Sequence, residues 1–248
     1  MSAWLKKHTA LNVVRLLCAA VIAVLFVRSL IDGNGRHVLY TCVTFAFMFL
    51  PELVILVFKL DVPDPLSIVY VLMLFSANIL GELFEVYLSL PLWDSLLHLV
   101  SGFFIALLGC SLFELMTGEK PKPLAAALFA FMFAVLFGVL WEYFEYFMDS
   151  VFHTDMQKDK FLSSVSSVLL NPDGTNYSVT REVGTVVVDG ETWPGYIDIG
   201  LHDTMNDMLI ASLGALVASL FCYFNEKDGR LFRFIRVFFI KGKKRGRK

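Results

Sequence analysis

The chain has 248 residues, of which 57% are hydrophobic and 18% are charged, and its mean hydropathy is +0.67. Soluble domains are usually about 45–50% apolar, so this composition excludes an ordinary soluble protein. The net charge of −2 is too small to indicate any class of partner. The composition favours a polytopic membrane protein.

Six apolar runs are each long enough to cross a bilayer, which takes about 18 residues or more. They lie at roughly 9–32, 37–60, 66–90, 94–117, 123–152 and 201–225. The predicted fold class is therefore an all-α membrane helix bundle with about six transmembrane helices. The first run lacks a clear small-residue cleavage site, so we interpret it as a retained helix rather than a signal peptide.

The sequence predicts one transmembrane domain over residues 1–225 and a basic amphipathic tail over 226–248. In the tail, bases alternate with Phe and Ile, a pattern typical of a helix lying on an anionic membrane surface. Nucleic-acid binding is the alternative for so basic a segment. The adjacent membrane span favours lipid contact, so no nucleic-acid partner is expected.

The distribution of Lys and Arg predicts the orientation in the membrane. Bases lie before the first span, after the second, between the fourth and fifth, and after the sixth. Cytoplasmic loops carry such an excess of bases, so both termini are predicted to be cytoplasmic. The protein is then expected in the bacterial cytoplasmic (inner) membrane, with the loop 153–200 outside the cytoplasm.

The loop 153–200 is predicted to form a small extracytoplasmic cap. Residues 153–168 have the pattern of a short amphipathic helix near the membrane surface. Further along, Asp189-Gly190 stands between Val-rich and aromatic segments, which is the signature of a β-hairpin with a two-residue turn.

Acidic residues recur at similar places in two predicted helix hairpins, at about 66–117 and 123–225. The first reads E-L-F-E and then D-x-x-x-H, and the second reads E-Y-F-E and then D-x-x-x-D. These spacings place each pair on one helix face. An axis along the membrane normal relating the two hairpins, as in parallel repeats, would bring the pairs together. The predicted metal ligands are Glu82, Glu85, Asp94, His98, Glu142, Glu145, Asp203 and Asp207.

The chemistry of this set favours a divalent cation as cofactor. An acid at the centre of a membrane helix costs about 2.5–3.5 kcal/mol unless it is neutralised or hydrated. Carboxylates with one histidine suit Zn²⁺, Mn²⁺, Fe²⁺, Mg²⁺ or Ca²⁺. Alternatively, the acids lie in headgroup water, Asp94 and Asp203 cap helices, and His98 is a structural hydrogen-bond partner. For Asp94 and Asp149 taken alone, this alternative is preferred.

Other polar and sulfur residues within the spans have simpler interpretations. The cysteines Cys18, Cys42, Cys110 and Cys222 lack the close spacing of a disulfide framework or a zinc site. We interpret them as small buried hydrophobic residues. Arg15 and Glu52 lie at similar depths of the first two spans and are predicted to form a structural ion pair.

Three motifs carry a resemblance to known membrane proteins: W-D-S-L-L-H with Gly102, G-V-L-W-E-Y-F-E-Y, and D-T-M-N-D-M followed by L-G-A. Over about residues 76–220 they resemble the YjdF-type family of bacterial inner-membrane proteins, which has no assigned activity. More loosely they are similar to VanZ-like proteins, which are associated with reduced susceptibility to glycopeptide antibiotics. That resemblance implies a role at the cell envelope. Glu145 replaces the usual VanZ-type Gln and Asp207 follows Asn206, and both changes favour a metal over antibiotic resistance.

Three functions fit the sequence. The first is a metal-dependent membrane hydrolase or transferase that acts on a lipid or envelope precursor. The second is a divalent-metal or proton-coupled transporter, although transporter sites usually lie near the midplane. The third is a structural or binding protein clamped by a metal. Membrane lipids are expected partners in each case, whereas catalytic residues and the oligomeric state are not assigned.

Overall fold

A computed structural model describes residues 8–118, 121–228 and 233–242. The chain divides into two compact units. Unit one comprises Met1–Gly138 and Leu209–Lys248, and unit two comprises Val139–Met208. Several bases on which the predicted orientation depends, at positions 6, 7, 120, 230, 243–245, 247 and 248, lie outside the described residues.

Eight α-helices are found among the described residues. They are α1 Thr9–Ile31, α2 Gly35–Phe47, α3 Leu50–Phe58, α4 Asp64–Phe75, α5 Val86–Ser89, α6 Trp93–Thr117, α7 Pro123–Phe152 and α8 Leu201–Asp228. They provide six stretches that are long and apolar enough to cross a membrane, which confirms the predicted helical class and number of spans. At 1.5 Å per residue α1 alone is about 35 Å long, against a hydrocarbon core of about 30 Å.

Two of the six stretches are irregular. The second is interrupted between α2 and α3, where the new helix begins at Leu50 with Pro51 in its first turn. The third continues from α4 into a π-helical segment, Ser76–Leu83, which ends where Phe84 N–H donates to the carbonyl of Ile79, 3.1 Å away. The prediction that Glu82 and Glu85 share one helix face is wrong. Glu85 follows the π-helical segment with a left-handed backbone (φ 55°), so the regular helical period is lost between them.

The core of unit one is built on small residues. One cluster packs α6, α7 and α8 together through alanines, including Ala106, Ala130 and Ala215, which are fully buried. A second cluster joins α1, α2 and α4 around Met48 and Val71. Small side chains let membrane helices approach closely. Large side chains such as Leu16 and Ile31 face outward, as expected of helices in contact with lipid.

The segment between α7 and α8, within unit two, consists of short antiparallel strand pairs. Its strands are β2 Lys160–Leu162, β3 Ser164–Ser167, β4 Val179–Glu182, β5 Val186–Val188, β6 Glu191–Trp193 and β7 Tyr196–Asp198. β2 pairs with β7, β3 with β4, and β5 with β6. The hairpin at Asp189-Gly190 is confirmed, and both turn residues have positive φ.

The amphipathic helix predicted at 153–168 is wrong, because residues 153–159 are not helical and β2 and β3 follow them. The alternation Ser164-Val165-Ser166 has the two-residue period of a strand, and β3 pairs residue by residue with β4. The helical spacing of its apolar residues therefore did not predict the secondary structure of this short segment.

The tail prediction is also wrong over residues 233–242. Instead of a surface helix, these residues form a 3₁₀ helix, Arg233–Phe238, followed by β8 Lys241–Gly242, which pairs with β1 Leu60–Asp61. Ile235 and Phe239 are buried in the core of unit one. Ile235 and Phe239 thus pack against protein, whereas Phe234 and Val237 are exposed.

Candidate metal-binding residues

The first two predicted ligands are separated by the irregular end of the third span. Glu82, in the π-helical segment, accepts a hydrogen bond from Arg36 Nη2 at 3.1 Å. Glu85 is exposed at the start of α5. Arg36 already compensates the charge of Glu82, and Glu85 is exposed. These two residues are therefore the least suited of the eight to a shared metal.

Asp94 and His98 form a pair at the start of α6. Their Oδ1 and Nε2 atoms are 3.6 Å apart across one helical turn. Leu92 is the N-cap residue and Asp94 lies in the first turn, so Asp94 pairs with His98 rather than capping the helix. Trp93 fixes this end of α6 by donating Nε1–H to the carbonyl of Ser76 at 3.4 Å. The pair offers one carboxylate oxygen and one imidazole nitrogen as ligands.

Glu142 and Glu145 lie on α7 in unit two, and both are buried, with exposed fractions of 4% and 7%. Their spacing of three residues places them on the same face of the helix, as predicted. Trp141 Nε1 donates a hydrogen bond to Glu145 Oε1 at 2.7 Å. Trp141, interpreted from sequence as an interface aromatic, therefore orients a buried carboxylate.

Asp203 and Asp207 are buried on the first turns of α8. Asp203 accepts hydrogen bonds from the backbone N–H of Lys158, at 2.8 Å, and from Lys160 Nζ, at 3.3 Å. Its carboxylate is thus already used to hold the segment that follows α7. Asp207 lies one turn further along α8 and is only 2% exposed.

A further, partly buried set of contacts was not predicted as functional. Asp149, at the end of α7, accepts hydrogen bonds from Thr154 Oγ1, Met156 N–H and Gln157 N–H at 2.6–2.8 Å. Gln157 in turn donates to Thr204 Oγ1 at 2.5 Å. Asp149 is therefore a structural residue that fastens the loop to the end of its own helix.

Unit two is strongly acidic. It contains twelve acidic and three basic residues, a net charge of −9 with histidines neutral. With −2 for the whole chain, unit one carries +7. The concentration of acids has a local effect, since the pKa of Asp159 is raised by partial desolvation and then by repulsion from neighbours such as Asp155 and Asp149. A region of this charge attracts cations.

The six candidate spans and their apolar outer surfaces define an integral membrane protein. Residues 14–228 match a family described as "Predicted membrane protein (DUF2238)", and the chain belongs to this family. Neither a curated protein nor a solved structure matches it.

Proposed function

We propose that the protein binds a divalent cation through the buried carboxylates of unit two. The observation that carries this proposal is the burial of Glu142, Glu145, Asp203 and Asp207 in a unit with a net charge of −9. Buried carboxylates are stable when a cation or strong hydrogen bonds compensate their charge. A divalent ion supplies two charges at once.

Of the eight ligands predicted from sequence, the proposal keeps the four of unit two, which are Glu142, Glu145, Asp203 and Asp207. In unit one, Glu82 is paired with Arg36 and Asp94 with His98.

Such a cation gives the protein a chemistry suited to the membrane surface. The carboxylates of unit two would hold the ion, which would supply Lewis-acid chemistry towards a phosphate or carbonyl oxygen or a water molecule, and a neighbouring carboxylate would transfer the proton. We propose a lipid or envelope precursor as the substrate. The location is the bacterial inner membrane with cytoplasmic termini, and the resemblance to YjdF-type and VanZ-like proteins supports an envelope role.

A structural role for the cation is the second candidate. Asp149 and Asp203 hold residues 156–158 in place by accepting hydrogen bonds from their backbone N–H groups. A cation bound beside them would fasten the same loop to α7 and α8 without any reaction.

The test measures metal in the detergent-purified protein by mass spectrometry after dialysis against Mn²⁺ or Zn²⁺. We expect near-stoichiometric metal in the wild type and its loss in Glu142→Gln/Glu145→Gln. The control is Glu182→Gln/Glu191→Gln, which removes two exposed acids of the same unit and should retain the metal. Absence of metal in the wild type, or equal loss in both variants, would overturn the proposal. Retained metal with hydrolysis of lipid substrates would favour the enzyme over the structural clamp.

A further inference from the structure

The tail residues 233–242, which we call the strap, link segments from several spans of unit one. The 3₁₀ helix Arg233–Phe238 contacts both α4 and α6. β8 follows it and pairs with β1, which lies just before α4. The strap thus connects the start of the third span to the fourth, although it comes after the sixth in the sequence.

The apolar side chains of the strap are part of the core. Ile235, Phe239 and Ile240 are each at most 5% exposed. Ile235 and Phe239 belong to the same buried cluster as the free thiols of Cys110 on α6 and Cys222 on α8. Because both thiols are fully buried, their reactivity measures whether this part of the core is closed.

A single arginine of the strap joins the ends of α6 and α8. Arg236 Nη2 lies 2.9 Å from Glu226 Oε1 and 3.4 Å from Glu114 Oε1. Asn225 donates a hydrogen bond to Glu226 Oε1 at 2.6 Å and accepts one from Arg236 Nε at 3.2 Å. Arg236 is therefore the cation that the carboxylates of the two helices share.

The charges beneath the strap are not fully compensated. Two carboxylates share one guanidinium, and Glu226 Oε2 is buried without a hydrogen-bond partner among the described residues. Such an oxygen costs free energy that is recovered when water reaches it. The polar contacts therefore favour hydration of this end of the bundle, whereas the apolar side chains of the strap favour its closure.

We propose that the strap is a reversible closure of this end of unit one, with Arg236 holding it in place. When the strap is docked, it excludes water from the core shared by α6, α7 and α8. When it is released, Glu114 and Glu226 become hydrated and that core opens. The predicted orientation places the strap on the cytoplasmic side, so the tail would control access to the core from the cytoplasm. The cation proposed above is not required, since its carboxylates belong to unit two.

The experiment measures how fast each native cysteine of the full-length, detergent-purified protein reacts with N-ethylmaleimide, with mass spectrometry as the readout. We expect Cys110 and Cys222 to react slowly in the wild type. In Arg236→Gln they should react at least about 10-fold faster, because two buried carboxylates lose their shared cation.

Two controls separate release of the strap from unfolding. Arg236→Gln/Glu114→Gln/Glu226→Gln removes the buried charges together and should restore slow labelling, since the apolar contacts remain. Cys18 belongs to the other core cluster and should stay protected in every variant. If Cys18 reacts faster in parallel with Cys110 and Cys222, the chain unfolds globally and the proposal is overturned.

A covalent lock tests the strap directly. Asp61 and Lys241 are opposite each other in the β1–β8 pair. Cα atoms of antiparallel partners are about 4.5–5.5 Å apart, a separation that a disulfide can bridge. Oxidised Asp61→Cys/Lys241→Cys should therefore suppress labelling of Cys110 and Cys222 even when combined with Arg236→Gln, and reduction should restore it.

The single variant Lys241→Cys, which cannot form the lock, is the matched control and should label like the wild type at Cys110 and Cys222. Labelling that is no faster in Arg236→Gln than in the wild type overturns the proposal. Labelling that the disulfide does not diminish overturns it as well.

Discussion

Arg15 and Glu52 form a bidentate ion pair between α1 and α3. Arg15 Nη1 and Nη2 lie 2.5 and 2.6 Å from the two carboxylate oxygens, and the guanidinium also lies over the ring of Phe49. The pair, predicted from sequence, is confirmed, and it lies at the interruption between α2 and α3. Each charge depends on the other because the Arg15 side chain is only 7% exposed.

Breaking this pair from one side should destabilise the protein more than removing it. We expect Glu52→Leu alone to cost about 3–5 kcal/mol, since it leaves the buried charge of Arg15 uncompensated. Arg15→Met should cost less than this, since Glu52 is 26% exposed. The double variant should be less destabilised than either single variant. Thermal unfolding in detergent measures the stability of the three variants and so ranks them.

An exposed ion pair provides the control for this prediction. Arg28 and Asp32 are 3.5 Å apart at the end of α1, with side chains 78% and 56% exposed. Arg28→Met should change the stability by at most about 1 kcal/mol. If the double variant at Arg15 and Glu52 loses as much stability as the two single variants added together, the expected coupling is contradicted.

At the scale of elements, two glycines determine how closely α6 and α8 pack. A Cβ on Gly102 would lie 2.0 Å from the carbonyl oxygen of Ala211, and one on Gly214 would lie 2.0 Å from that of Leu99. Both obstacles are backbone atoms, which cannot rotate away as a flexible side chain could. The two helices must move apart if either glycine gains a side chain.

We therefore expect Gly102→Ala to destabilise the protein by roughly 1–3 kcal/mol, the usual cost of overpacking a core. Gly138→Ala on α7 is the control, since its Cβ meets nothing within 4 Å. That substitution should be neutral or stabilising by up to about 1 kcal/mol, because alanine favours the helix. Equal loss of thermal stability in the two variants would show that helix propensity, not close packing, governs position 102.

Local patterns in the sequence predicted most elements but not their irregularities. Unbroken apolar runs identified the six spans, and Asp189-Gly190 identified a turn that needs positive φ. The π-helical end of the third span has no such local signal. It accompanies the close contact of Gly81 with the ring of Tyr87, which only the folded chain brings about.

The buried polar residues likewise include contacts that local sequence patterns predict and contacts that they do not. Burial of Glu142 and Glu145 was predictable, because the apolar helix around them leaves no polar surface of its own. The hydrogen bonds of Asp149 and the meeting of Glu114 with Glu226 at Arg236 were not. The contact of Arg236 with Glu114 joins residues distant in sequence, and the contacts of Asp149 depend on the turn of the chain after α7, so neither has a local pattern in the sequence.

On the scale of the whole molecule, charge is divided between the units. Unit two carries −9 and unit one +7, although the chain as a whole carries only −2. Lys and Arg are retained on the cytoplasmic side of bacterial membranes, whereas acids have little influence on orientation. The long acidic loop between α7 and α8 is therefore the segment expected to be translocated.

This division predicts which side of the membrane each segment faces. An even number of spans places both chain ends on one side, and the loop after the fifth span on the other. Leu169 in the loop is 94% exposed and Lys241 after α8 is also exposed, so a cysteine at either position is accessible to a reagent.

A membrane-impermeant maleimide should label Leu169→Cys in cells whose outer membrane alone is permeable, and Lys241→Cys only after the inner membrane is opened. The parent chain, in which Cys42 is the exposed native thiol, gives the background. Labelling of Lys241→Cys in intact inner membranes would contradict this prediction. It would show the opposite orientation, with the acidic unit and its proposed cation facing the cytoplasm.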